Sequence, residues 1–177
     1  MPGPVFSAGD RVSLHTVEEE DLDAFARARS DPDVRVPLGV DSPGNRDTLK
    51  EFFEETVSSD DGYWFVVAAA EETVGAVTFP SVDPSSGRGD LSCWILPEHQ
   101  GEGYGSEAVS LLLAYGFDEL RLHRVRADCF ATSDASRRLL ESLGFTREGR
   151  FRDATFQDGV YEDVLRYGLL VDEWRAN

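Results

Sequence analysis

The chain has 177 residues, 41% of them apolar and 11% aromatic, a composition that suits one packed domain and excludes a disordered segment. Against 34 acidic residues stand 17 basic ones, and the formal charge of -17 is spread over the whole length, which excludes the basic face that nucleic-acid binding needs. No apolar run approaches the roughly 20 residues of a spanning helix, and the start MPGPVFSAGDRV lacks the plan of a signal peptide, so the expectation is a soluble cytoplasmic protein with no membrane partner.

Val12 and Leu14 alternate with Arg11, Ser13 and His15 and predict a first strand. Thr16 followed by Glu19 predicts a capping box, and Leu22, Phe25 and Ala26 form a helical stripe that fades near Ser30. The stretch 31–45, rich in Pro, Gly and Asp, reads as loop. Leu49, Phe52, Phe53, Thr56 and Val57 then recur at helical spacing. YWFVVAAA and TVGAVTFPSV predict a hairpin about Glu71 and Glu72, and DLSCWIL predicts a fourth strand that Pro97 stops. A helix with Ala108, Leu111, Leu112 and Tyr115 on one side follows, and RVRADCF is the next strand. SDASRRLLESLGF reads as a helix with Ser133 as N-cap, Leu139, Leu140 and Leu143 inward, and Gly144 as its stop. TREGRFRDATF and YEDVLRYGLL close a hairpin about QDG. Together these predict a single domain over 1–177 of α/β (α+β) class, a mixed sheet of about seven strands with four helices on its faces.

QGEGYG, between the fourth strand and the helix after it, is the most informative stretch. Its glycines run G-x-G-x-G with Ser106 in the last slot, which misses the dinucleotide fingerprint by one residue. Lys50 is the only lysine, which excludes a Walker loop. His15, His99 and His123 have no ligand spacing, so no metal is expected. What remains is a strand, a short glycine loop and a helix start, which is either a plain turn or a pyrophosphate site built from main-chain N–H groups and the positive helix end. Cys93 and Cys129 lie in apolar strand-like runs and read as small buried hydrophobes. Neither stands beside a plausible base, so no nucleophile constellation is visible.

Gln100-x-x-Gly103-x-Gly105 resembles the Q/R-x-x-G-x-G/A motif of the GNAT superfamily of N-acetyltransferases. LHRVRADC, SRRLLESLGF and the terminal hairpin are similar to its Rim-type branch, whose enzymes acetylate the N-terminal amine of ribosomal proteins. The resemblance covers almost the entire chain. It implies a sheet that splays between the fourth and fifth predicted strands, with the pantetheine arm of acetyl-CoA in the gap. It also implies that amides of Gln100, Gly101, Glu102, Gly103, Tyr104, Gly105 and Ser106 hold the pyrophosphate, and that main chain at Ile95 and Leu96 binds the pantetheine. Ser133 and Ser136 would approach from the other side, Ser133 standing where the family usually has Asn. Of the pair Arg137 and Arg138, one, taken as Arg137, would meet a CoA phosphate, or else both are solvated helix surface. With no nucleophile visible, direct transfer through a ternary complex is favoured over a covalent acyl-enzyme. A homodimer is a family expectation that the sequence neither supports nor opposes. The dispersed acidity with a single lysine resembles proteins of salt-accumulating halophiles.

An amine attacks a thioester as the free base, and an N-terminal ammonium has a pKa near 8, so modest help suffices. Asp90 shares a strand face with Ser92 and Trp94 and would act as base directly or through water, or else would merely start the strand. Ser136 matches the serine thought to serve the departing thiolate in Rim-type enzymes, or else bonds back to its own helix. The acceptor should be read by segment 31–45, the second helix and 157–161. A protein N-terminus is the expected acceptor, a polyamine, amino acid or antibiotic the alternative, and a non-catalytic acyl-CoA-binding module the reading from another class.

Overall fold

The computed structural model describes residues 2–42, 44–157 and 159–176. Eight strands form one mixed sheet: β1 (Val5–Ala8), β2 (Ser13–Thr16), β3 (Tyr63–Ala69), β4 (Glu72–Asp83), β5 (Arg88–Ile95), β6 (Arg124–Phe130), β7 (Thr146–Gln157) and β8 (Val160–Leu170), in the order β1-β2-β3-β4-β5-β6-β8-β7. The helices are α1 (Leu22–Ser30), α2 (Pro32–Arg35), α3 (Arg46–Phe52), α4 (Tyr104–Asp118), α5 (Asp134–Ser142) and α6 (Val171–Ala176). Among the described residues no helix is long and apolar enough to cross a membrane.

All neighbouring strands run antiparallel except β5 and β6. A parallel pair needs a crossover, and α4 supplies it, laying Ala108, Val109, Leu112 and Leu113 against the sheet. Leu112 and Leu113 are fully buried, each side chain contributing about 1.5–3 kcal/mol. They join Leu14, Val67, Phe79, Val125, Leu165 and Tyr167 in the main core, and Leu140 of α5 closes it. On the opposite face α1 and α3 cover part of the sheet through Val17, Phe25 and Leu49 packed on Val66 and Ala76.

The β5–β6 pairing is short. Arg88, Gly89 and Asp90 pair with Arg124, Val125 and Arg126, and beyond them the strands separate, β5 staying on β4 and β6 on β8. The sheet therefore splays where the fourth and fifth predicted strands meet, and the family geometry expected from the sequence is present.

Several boundaries differ from expectation. β1 is an added edge strand with mostly exposed side chains and no inside-outside alternation to announce it; Phe6 packs on Phe65 and Tyr115. Thr16 belongs to β2, paired with Phe65, so the capping box shifts two residues on: the Asp21 carboxylate accepts from the Glu18 N–H at 3.0 Å. Stretch 31–45 is loop except for α2, whose first turn Asp31 caps by accepting from the Asp33 N–H at 2.9 Å. The β3–β4 turn is Ala70-Glu71, one residue earlier than predicted, with both φ positive (48° and 70°) as a two-residue hairpin turn requires. The helical stripe ending at Val57 is α3 continued by one wider π turn, Phe53–Val57. Asp158 of the predicted QDG turn lies outside the described residues.

Candidate active site

The separation of β5 from β6 leaves a cleft of about 660 Å³. One wall is 91–95 of β5, the other Ala127, Asp128 and Cys129 of β6. At one mouth stand Gly103, Tyr104, Gly105 and Ser106 with Ser133, Ser136, Arg138 and Leu139; at the other are Asp33, Val34, Pro37 and Leu38 with Trp94. Because α4 and α5 lie on one face of the sheet and α1 to α3 on the other, the cleft passes through it.

The glycine loop leaves main-chain donors at the cleft mouth. Gly103 is the N-cap of α4 at φ 80°, in the left-handed region, and carries no side chain that would cap the helix. The first intrahelical bond runs from the Glu107 N–H to the Gly103 carbonyl at 3.2 Å, so the N–H groups of Tyr104, Gly105 and Ser106 precede the ladder and face the cleft mouth as free donors at the positive end of a 15-residue helix. The Gln100 side chain folds back to donate to the Ile95 carbonyl at 2.9 Å, closing the loop on the end of β5.

Of the residues singled out in the sequence, Ile95, Gln100, Gly101, Gly103, Tyr104, Gly105, Ser106, Ser133 and Ser136 all line the cleft. Leu96 and Glu102 do not. Leu96 is 1% exposed, with its side chain in a small core against Ala28 and Val34 and its N–H donating to the Val74 carbonyl. The main-chain groups at Ile95 O and Leu96 N are therefore already satisfied within the protein. Glu102 contributes its carbonyl outward, to Arg11, and its side chain is absent from the lining.

Arg137 turns away, to Asp134 at 2.9 Å and the Ala131 carbonyl, and it is Arg138 that lines the cleft, in no ion pair among the described residues. Asp90 stands at the closed root of the gap, outside the lining. Its Oδ2 accepts from Arg126 at 2.7 Å, with Arg88 at 3.7 Å from the other oxygen. Parallel pairing sets Arg126 directly beside Asp90 and engages the carboxylate in the sheet.

Ser133 stands at the N-cap position of α5, but its hydroxyl accepts from no backbone N–H of the helix and donates to Ser136 Oγ at 2.9 Å. That leaves the Ser136 proton free for a group in the cleft. Both thiols on the walls are inert near neutral pH. Burial pushes Cys93 up to about 12 and Cys129 up to about 11, and only the thiolate is nucleophilic.

Sequence reasoning missed Asp33, Asp128 and His99. Asp33 arrives from α2, Asp128 alternates with buried Cys129 on β6, and His99 lines the cleft with Nε2 buried and hydrogen-bonded to no described group. Strand alternation would have placed Asp128 opposite Cys129, but only the fold shows that this face borders the gap.

The mixed sheet opened beside its parallel pair, with a glycine loop at the head of the crossover helix, is a GNAT fold. The chain belongs to this family: residues 11–146 match the acetyltransferase (GNAT) domain. It is similar to the N-acetyltransferase p20 of Bacillus licheniformis, 30% identical over 170 residues, 93% of this chain and 96% of that one. It is also similar to the ribosomal-protein-serine acetyltransferase of Escherichia coli, 26% identical over 128 residues, 71% of this chain and 72% of that one. The crystal structure of spermidine N-acetyltransferase from Vibrio cholerae with CoA and spermine shares the fold, with a TM-score of 0.89 at 23% identity over 94% of this chain and 99% of that one. The protein is an N-acetyltransferase.

Proposed function

We propose that the protein transfers the acetyl group of acetyl-CoA directly to a singly charged primary amine, the N-terminal amine of a protein. The observation that carries this reading is the cleft itself, which joins free helix N–H donors at one mouth to a partly apolar, mildly acidic opening at the other. The residues fit the co-substrate: Gly103 leaves room at the loop, and the amides of Gly103, Tyr104, Gly105 and Ser106 would hold the pyrophosphate with Arg138 at the rim. The pantetheine arm would lie between 91–95 and 127–129, bringing the thioester near Ser136.

In this arrangement the amine lone pair adds to the thioester carbonyl, the carbon–sulfur bond breaks, and the ammonium proton passes to water. Ser136 donates a hydrogen bond to the departing sulfur while Ser133 holds its oxygen in place. Asp90, bound to Arg126, serves the sheet, so water takes the role of base. With both cysteines protonated, no residue on the walls is set up to carry the acetyl group, which supports transfer in a ternary complex.

The acceptor reading rests on charge bookkeeping at the second mouth. A polyamine carries several ammonium groups and needs several unpaired carboxylates, yet the lining offers Asp33 and Asp128, and Asp128 is held by Arg166 through two bonds of 2.9 and 2.7 Å. Asp33 is left to meet one ammonium, with Val34, Pro37, Leu38 and Trp94 beside it for the residues that follow. Free-thiol release from acetyl-CoA, measured with a panel of N-terminal peptides and a panel of polyamines, tests the reading. Faster turnover of peptides is expected. Turnover of polyamines alone contradicts the acceptor assignment, and silence on both panels with CoA bound indicates a binding module.

A further inference from the structure

Arg11 lies in the β1–β2 turn, far from the glycine loop in sequence, yet its side chain reaches both that loop and the first turn of α4. Its Nη1 donates to the Glu102 carbonyl at 2.7 Å. Its Nε donates to Glu107 Oε2 at 3.0 Å, and its own backbone N–H to Glu107 Oε1 at 2.8 Å. Val12 N–H adds a longer bond of 3.4 Å to Glu107. A Cβ placed on Gly103 would stand 2.9 Å from Arg11 Nη2, so the guanidinium lies flat against the loop. Burial alone would raise the Glu107 carboxyl, but the Arg11 amide and guanidinium outweigh it and hold the group below its ordinary range.

We propose that Arg11, anchored by Glu107, is a positioning residue that sets the pyrophosphate loop by fixing the peptide between Glu102 and Gly103. A trans peptide is planar, so its carbonyl and the following N–H point in opposite directions. With the Glu102 carbonyl held outward by Arg11, the Gly103 N–H is turned inward, toward the mouth where the N–H groups of Tyr104, Gly105 and Ser106 already converge. Glycine at 103 is free to rotate in the absence of that bond, since φ of 80° is one of several conformations open to it. Glu107 sits in the first turn of α4, where a carboxylate also suits the helix end, and it holds the arginine from the side away from the cleft. The pair thus orders an anion site without placing a side chain in it.

This inference rests on the loop binding the pyrophosphate of acetyl-CoA, and its test separates the two. Wild type, Arg11→Met and Arg11→Lys are compared with acetyl-CoA and with S-acetyl-pantetheine, which lacks the pyrophosphate, by calorimetry and steady-state rates. Loss of one well-aimed N–H to a charged group predicts that Arg11→Met raises Kd and KM for acetyl-CoA about tenfold or more. Its kcat, and its KM for S-acetyl-pantetheine, should stay within about twofold of wild type. Arg11→Lys should fall between, since one ammonium reaches the Glu102 carbonyl or Glu107 but not both in the same geometry. Unchanged acetyl-CoA affinity in Arg11→Met overturns the proposal, as does an equal loss with both donors, which marks a merely structural role. If Arg11→Met does not fold, the same comparison is read from Arg11→Lys. A wild type that does not distinguish the two donors overturns the pyrophosphate reading of the loop, and this inference with it.

Discussion

Replacing Gly103 by alanine puts the main-chain anion site to a quantitative test. At φ 80° a Cβ is strained by about 1–2 kcal/mol, whatever space surrounds it. There is also little space, because the new Cβ would lie 2.9 Å from Arg11 Nη2 and 3.0 Å from Nη1. Gly101 and Glu102 are exposed, so the free protein can relax the loop and keep its stability within about 0.5 kcal/mol. Binding must restore the left-handed conformation, and the strain then appears as a Kd for acetyl-CoA raised about 5- to 30-fold. Gly105→Ala is the contrast. Residue 105 is inside α4, where alanine is favoured over glycine by about 0.5–1 kcal/mol, and its Cβ would meet the flexible end of Leu139 at 3.1 Å and Ile95 Cγ1 at an ordinary 3.5 Å. Its Kd should stay within about threefold of wild type. Isothermal titration with acetyl-CoA, paired with a thermal melt of each variant, reads both quantities. Wild-type affinity in Gly103→Ala, or equal losses in the two variants, would refute the assignment of the anion to this backbone.

Three further outcomes are expected. Ser136→Ala should lower kcat about 10- to 100-fold with little change in the KM for acetyl-CoA, and Ser133→Ala should lower it less; steady-state thiol release checks both. Asp90→Asn should leave kcat within about threefold and lower stability by about 1 kcal/mol through the Arg126 pair, to be seen in urea unfolding; a large loss of kcat would return Asp90 to the role of base. Cys93 and Cys129, pushed up to about 12 and about 11, should resist iodoacetamide at pH 7.5 and label only as the pH approaches those values, and the double alanine variant should keep its turnover.

What was legible in the sequence is what local pattern encodes. Alternation marked β2, apolar β-rich runs marked β3 to β6, the turn QDG marked the β7–β8 hairpin, the stripe of Ala108 and Leu112 marked α4, and the spacing of Gly103 and Gly105 marked the loop between a strand and a helix. Elements that draw their stability from distant partners left weaker traces. β1 exposes Val5 and anchors itself with Phe6 on Tyr115 of α4, a contact across more than 100 residues. α6 is a single short helix after β8, with Trp174 against the core. The site divides in the same way. Ser133 and Ser136 were placed beside the cleft by the family resemblance, and both line it at the head of α5. Asp90 was read as a candidate base, but the partner that occupies it, Arg126, comes from the adjacent parallel strand and left no local signal. The choice between Arg137 and Arg138 depends on the rotation of α5 about its axis, which Leu140 sets by its burial and the sequence alone did not resolve.

The acceptor is tested most directly by mass spectrometry of protein N-termini from native cells with and without this protein. Loss of acetylation at one or a few defined N-termini is predicted, with the polyamine pool unchanged. Unaltered N-termini accompanied by a fall in acetylated polyamines would contradict the assignment of a protein N-terminus as the acceptor.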